Sequence, residues 1–198
     1  MSSPLSAYFE RGLDYAGYRA LVHQVVAEHR TTGPIRTEEL AKYTALNKVR
    51  MDRNERVVKL LPELREALQA APAMDWLVLT EAWCGDASQS TPVMALMAEA
   101  APHIRLRFVL RDEQPELMDR YLTNGTRSIP ILIAFTGDNE RFTWGPRPAE
   151  PQRIMLGNKA LPEGQRLEKE QLYAKVHGWY AADRGMAIQR EFLALLGR

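Results

Sequence analysis

The fold is decided by one stretch, Glu81-Ala82-Trp83-Cys84-Gly85-Asp86-Ala87, which joins a strand-like apolar run at residues 76–79 to a helix-like run at residues 93–101. Cys84 is the only cysteine among the 198 residues. Backbone N–H groups and the helix dipole at such a junction favour a negative charge, which is how proteins stabilise a thiolate. The stretch therefore predicts thiol chemistry at the start of a helix.

The composition limits the partners that this chain can have. Its 26 lysines and arginines nearly balance its 25 aspartates and glutamates, so the net charge of +1 gives no electrostatic reason to expect nucleic acid or an anionic membrane surface. The first residues lack a basic segment followed by an apolar run, and no apolar run is long enough to span a membrane. We therefore expect a soluble, cytoplasmic protein that acts on small molecules or proteins.

Metal and disulfide chemistry within one chain is disfavoured. A single cysteine makes neither an internal disulfide nor an all-cysteine metal site. The histidines are scattered without metal-ligand spacing, at His23, His29, His103 and His177. We predict no metal and no cofactor, and we interpret His177 as packing against the sheet or a partner chain, with no aspartate, cysteine or second histidine nearby.

Amphipathic helices are predicted before the cysteine. Apolar residues recur at helical spacing over residues 15–26, and Gly33-Pro34 ends that pattern. A second helical pattern begins at Thr37, a candidate N-cap, and continues to residue 71. Pro62 either kinks this helix or starts a new one.

Short apolar runs alternate with helical patterns from Asp75 onward. Strands are predicted at residues 76–80, 104–110, 131–135 and 141–144, and helices at residues 87–101, 115–122, 149–157 and 167–196. The residues Gly137-Asp138-Asn139 suit a hairpin turn. The order βαβ followed by αββα predicts an α/β fold with a mixed four-stranded sheet that helices cover on both sides.

Three features together resemble thioredoxins. Cys84 opens a helix within WCGD, Pro92 lies inside that helix, and the run GTRSIPIL at residues 125–132 leads into the third strand. Thioredoxins have WCGPC, a proline at the same offset, and a G-x-R-x-I-P-x-L run whose proline is cis. The resemblance implies a thioredoxin-like fold, in which the Ile129–Pro130 bond is the cis candidate.

The resemblance also implies a division of the chain. Residues 75–160 correspond to the thioredoxin-like core, residues 1–74 to an N-terminal helical extension, and residues 161–198 to a long C-terminal helix packed on the core. The strings EAWCGDAS, RDEQPELMDRYLTNGTRSIP and WGPRP are similar to a bacterial group of thioredoxin-like proteins without a well-established activity. The terminal helices either cover a sheet face or form a homodimer interface, and the sequence leaves both open.

Two positions depart from the thioredoxin pattern. Ala87 stands where thioredoxins carry their second cysteine, and Val78 where they carry a buried aspartate. No resolving thiol exists in the chain, so a dithiol cycle within it is impossible. If the chain is an enzyme, Cys84 is its catalytic nucleophile, and a protein or low-molecular-weight thiol must resolve the mixed disulfide.

The surroundings of the cysteine have opposing effects on its pKa. Helix N–H groups lower the thiol pKa, whereas Asp86, where thioredoxins have proline, raises it. We expect a moderately activated thiol. Arg147, between two prolines, either faces an anion at this site or points into solvent. The residues predicted to line the site are Trp83, Gly85, Asp86, Ala87, Ile129, Pro130, Gly145 and Arg147.

Three functional hypotheses follow. The first is a monothiol thiol-disulfide oxidoreductase that uses Cys84. The second is a redox-inactive adaptor that binds a protein or ligand at the surface formed by Trp83, Pro130 and Arg147. The third is an iron–sulfur role with one cysteine per chain, which is disfavoured because GDAS does not reproduce the CGFS pattern of monothiol glutaredoxins.

Overall fold

A computed structural model describes residues 4–197. The helices and strands in chain order are α1 (Leu5–Arg11), α2 (Tyr15–Ala27), α3 (Glu38–Val57), α4 (Pro62–Ala70), β1 (Met74–Thr80), α5 (Gly85–Glu99), β2 (Ile104–Leu110), α6 (Pro115–Met118), β3 (Ile131–Thr136), β4 (Asn139–Trp144), α7 (Ala149–Ala160), α8 (Lys169–Asp183) and α9 (Met186–Leu196). Within residues 4–197, none of the helices combines the length and the apolar character needed to cross a membrane.

The strands form the predicted mixed four-stranded sheet in the order β2-β1-β3-β4. β1 pairs parallel with β2 and antiparallel with β3, and β4 closes the sheet as a hairpin with β3. Successive side chains of β1 point to opposite faces, so Trp76 and Val78 join one apolar cluster while Leu77 and Leu79 join the other. Burial on both faces explains why residues 76–79 of this central strand form a continuous apolar run.

Helices cover both faces of the sheet. Residues of α2, α4, α5 and α9 pack on the face of Trp76, whose ring centroid lies 5.2 Å from that of Phe192 in α9. The opposite face is covered by α1 and α6, and this smaller cluster also contains Cys84. The cysteine is therefore anchored in apolar packing as well as in the loop between β1 and α5.

The terminal helices differ from the prediction at two points and agree with it at a third. α1 was not predicted. The pattern after Thr37 forms two helices, with Thr37 as the predicted N-cap of α3 and Pro62 starting α4, which was one of its two predicted roles. The predicted single helix over residues 167–196 is wrong, because Arg184 and Gly185 have φ values of 54° and 78°. Left-handed residues end a right-handed helix, so the C-terminal segment is α8 followed by α9. The division at residues 74/75 and 160/161 stays a prediction.

Residues that precede β1 hold the loop that carries the cysteine. Asn47 of α3 donates from Nδ2 to the Ala82 carbonyl oxygen at 3.0 Å. The Thr32 hydroxyl donates to the Glu81 carboxylate and accepts from the Ala82 N–H at 2.9 Å. Glu81 is fully buried and also accepts from the Asp112 N–H at 3.0 Å. Residues before and after the loop are thus tied to it by buried polar contacts.

Candidate functional site

Cys84 lies at the N-terminus of α5 and is buried, with 7% of its surface exposed. Its Sγ accepts from the Ala87 N–H at 3.4 Å, so the thiol is the N-cap of the helix. The same Sγ donates to the Ile129 carbonyl oxygen at 3.3 Å. Because a thiol needs its proton to donate, this second contact holds Cys84 in the neutral form.

The expected moderate activation of the thiol is not found. Burial, followed by the negative charge of Asp86, raises the pKa of Cys84 to about 12. The Ala87 N–H and the charge of Arg147 act in the opposite direction but are smaller effects. The prediction underestimated burial, since the sequence did not show that the thiol would be covered by apolar packing.

Asp86 is the centre of a polar cluster beside the cysteine. Arg147 donates from Nε and Nη2 to Oδ2 of Asp86 at 2.9 and 2.7 Å, and from Nη1 to Gln152 at 2.7 Å. Tyr180 of α8 donates to Oδ1 of Asp86 at 2.9 Å. Burial and the Asp86 charge raise the pKa of Tyr180 well above its ordinary value. Of the two alternatives predicted for Arg147, the structure has the one in which it faces an anion. That anion is the Asp86 carboxylate of the same chain.

The loop before β3 and the loop after β4 lie at the same end of the sheet as Cys84. The Ile129–Pro130 peptide bond is cis, and so is Gly145–Pro146. Gly145 has a φ of 131°, and a Cβ added there would lie 2.1 Å from the Pro130 carbonyl oxygen. Only glycine allows the loop after β4 to lie this close to the loop before β3.

The end of β2 covers Trp83. The Arg111 guanidinium lies 4.7 Å from the centroid of the indole ring, a cation–π contact. Arg111 also forms an ion pair with Asp112 at 2.8 Å and donates to the Arg127 carbonyl oxygen at 3.1 Å. These contacts give both arginine and tryptophan fixed positions at the rim of the site.

A cavity of about 540 Å³ opens beside Cys84. It lies between the loops described above and the helices α3 and α8. Its lining residues are Thr37, Glu39, Leu40, Tyr43, Trp83, Cys84, Gly85, Asp86, Arg111, Arg127, Ser128, Ile129, Arg147, Met155, Lys169, Tyr173, Val176 and His177. Of the residues predicted to line the site, Ala87, Pro130 and Gly145 are not part of the cavity lining.

His177 was misjudged from the sequence. It lines the cavity, its Nδ1 lies 3.2 Å from Nε2 of Gln89, and it is close enough to Asp86 for that charge to affect its pKa. Burial, followed by the charge of Arg50, lowers the pKa of His177 to about 4, so the ring is neutral at pH 7. One signal was present in the sequence. His177 and Tyr180 are three residues apart and therefore share a helix face.

The charged groups of the described residues do not form a metal site. Within residues 4–197 no three His, Cys, Asp or Glu side chains are grouped so that they could hold a metal ion. The carboxylates at the cavity are instead paired with cations, as Glu39 is with Lys169 at 2.7 Å.

Comparisons with known proteins agree with this architecture. No curated protein matches the chain. A protein of unknown function from Pseudomonas aeruginosa has a similar crystal structure, with a TM-score of 0.60 and 19% identity over 99% of this chain and 98% of that one. An HIV epitope scaffold is also similar, with a TM-score of 0.57 and 18% identity over 98% of both chains. These identities establish a shared fold alone. A family model described as thioredoxin matches residues 33–167, more than half of the chain, and the protein therefore belongs to the thioredoxin family.

Proposed function

We propose that this protein is a redox-inactive, ligand-binding member of the thioredoxin family that holds a small molecule in the cavity between the Cys84 loop, α3 and α8. The observation that carries the proposal is the state of Cys84, whose buried thiol donates a hydrogen bond to the Ile129 carbonyl oxygen while a cavity lies open beside it. A neutral, hydrogen-bonded thiol is a poor nucleophile. The replacement of the second thioredoxin cysteine by Ala87 supports the same interpretation.

The size and lining of the cavity support a small molecule as the ligand. Pockets of about 300–1,000 Å³ are typical of small-molecule sites, and this cavity has a volume of about 540 Å³. Its walls combine apolar and aromatic side chains with charged side chains that ion pairs hold in place, and such fixed polar groups can orient a ligand. Helices α3 and α8 contribute much of this wall, which gives the two helical additions a role in binding.

Tryptophan substitutions on α3 test this proposal. Leu40→Trp fills the cavity, whereas Leu46→Trp adds the same side chain at a position of the same helix that is 46% exposed. A library of small acids, amides and neutral aromatic compounds is screened against the wild-type protein by ligand-observed NMR. Compounds that bind the cavity should also bind Leu46→Trp and Cys84→Ser but lose binding to Leu40→Trp. Equal binding to Leu40→Trp, or the absence of any bound compound, would contradict the proposal.

Monothiol exchange is the second candidate, and the position of Cys84 on the cavity wall is what favours it. In this reaction the Cys84 thiolate attacks a disulfide, forms a mixed disulfide and releases one thiolate. An external thiolate then attacks the mixed disulfide, which restores Cys84 and releases a new disulfide. The candidate predicts mixed disulfides that Cys84→Ser abolishes. It also requires that the hydrogen bond from the Cys84 thiol to the Ile129 carbonyl oxygen breaks before the reaction.

A further inference from the structure

We propose that the end of the cavity beside Gly85 is an anion subsite, in which Arg50 and His177 bind the carboxylate of a small organic acid. The inference rests on the ligand-binding function proposed above and names the class of ligand. Both residues belong to the helical additions, Arg50 to α3 and His177 to α8, and they meet at the first residue of α5.

Arg50 lies next to the cavity, behind the lining residue Gly85, and differs from the cations that line it. Arg111, Arg127, Arg147 and Lys169 each form an ion pair with a carboxylate of the chain. Among residues 4–197 no carboxylate forms an ion pair with Arg50, whose guanidinium donates from Nη1 to Oδ1 of Asn47 at 2.8 Å. The side chain is partly buried. A partly desolvated guanidinium with free donors is a strong binder of carboxylates.

The hydrogen bonds behind His177 fix which ring nitrogen carries the proton. Asn54 donates from Nδ2 to the Gln89 backbone oxygen at 3.3 Å and to Oε1 of the Gln89 side chain at 2.9 Å. The side-chain oxygen of Gln89 is thus an acceptor, and its Nε2 donates to Nδ1 of His177 at 3.2 Å. The neutral ring then carries its proton on Nε2.

The donors of the two residues converge at Gly85. A Cβ added to Gly85 would lie 2.8 Å from Nε2 of His177 and 3.5 Å from Nη1 of Arg50. Both donors therefore lie close to the same point beside Gly85, and the missing Cβ of glycine is what lets the His177 ring approach. Asp86, whose charge acts on both of them, is already bound by Arg147 and Tyr180. An added anion would bind the free donors without competing with a partner of the chain.

The rest of the cavity suits the organic part of such an acid. Tyr43 of α3 and Tyr173 of α8 line it, with their ring centroids 6.4 Å apart. Met155 and Val176 add apolar surface, and Trp83 closes the side near Cys84. A carboxylic acid with an aromatic body would place its ring among these side chains and its charge beside Gly85.

The experiment uses 3-phenylpropanoate and its neutral amide, 3-phenylpropanamide, as probes of the full chain in isothermal titration calorimetry. The wild type should bind the acid at least about tenfold more tightly than the amide, because hydrogen bonds to a charged group are the stronger ones. Arg50→Gln should bring the acid to the affinity of the amide. Arg56→Gln removes the same charge from an exposed position of the same helix and should leave the affinity for the acid unchanged.

Three results would overturn the subsite. Equal wild-type affinities for acid and amide, or an unchanged affinity for the acid in Arg50→Gln, would refute anion binding while cavity binding stands. A wild type that binds neither probe would also refute it, and the Leu40→Trp comparison would then decide cavity binding separately. A second readout needs no variant. The Nε2–H signal of His177 should shift in NMR spectra on addition of the acid and not of the amide, and an unchanged signal would refute the contact.

Discussion

Replacing Asp86 by asparagine should destabilise the fold by about 2–3 kcal/mol, because it leaves the Arg147 guanidinium without its counter-ion. Both side chains are largely covered, with 14% of the aspartate and 15% of the arginine exposed. Removing one partner of a fully buried ion pair costs about 3–5 kcal/mol, and the remaining solvent contact reduces that figure. Tyr180 keeps an acceptor in the asparagine amide oxygen, so its hydrogen bond adds little to the loss.

A double-mutant cycle measures the pair directly. Urea denaturation of the wild type, Asp86→Asn, Arg147→Gln and the double variant should give a coupling energy of about 1.5–3 kcal/mol. The control is Asp119 with Arg127, which is also joined by two hydrogen bonds, at 2.7 and 2.8 Å and one to each carboxylate oxygen, but is 50% exposed on both sides. Its coupling should stay below about 1 kcal/mol. Equal coupling energies for the two pairs would refute the claim that burial strengthens the Asp86 pair.

Two further predictions concern the contact between α5 and α8. Gly85→Ala should destabilise the fold by about 1–3 kcal/mol, because the new methyl group would lie 2.7 Å from the His177 ring. Urea denaturation of the double variant Gly85→Ala/His177→Ala should show that most of this loss is recovered. No recovery would contradict the steric explanation. His177 should also make the fold sensitive to acid, because its pKa in the folded protein, about 4, lies below the ordinary value of 6.5. The groups that face the ring are Arg50, Asp86 and Gln89. Unfolding then takes up a proton between these values, so the free energy of unfolding should fall as the pH drops from 6.5 towards 4. His177→Gln should lose this pH dependence and His23→Gln, at an exposed position, should keep it.

The elements that the sequence predicted well are those with local signals. β2 was predicted at residues 104–110 and occupies Ile104–Leu110, because alternating apolar residues define a strand without reference to its partners. Thr37 and Pro62 mark helix starts through contacts and backbone geometry within one turn. The Cys84 loop was placed between strand and helix for the same reason.

The features that the sequence did not show depend on residues far apart in the chain. Cys84 is packed against Ile129, 45 positions away, and the pKa of His177 is lowered by burial and then by the charge of Arg50 on another helix. The break between α8 and α9 depends on the left-handed backbone at Arg184 and Gly185, where α9 turns to pack on Val93. No spacing rule encodes such contacts, because they form only when the terminal helices close over the core.

The pH dependence of Cys84 alkylation tests the central claim most directly. Iodoacetamide reacts with the thiolate, and because the chain has one cysteine, total labelling reports on this site alone. The folded protein should react far more slowly than the urea-unfolded chain at pH 7–8, and its rate should still be rising at pH values where the unfolded thiol, with a pKa of about 8.5, has reached its plateau. A folded-state rate equal to that of the unfolded chain, with an apparent pKa at or below that value, would contradict a buried and protonated Cys84.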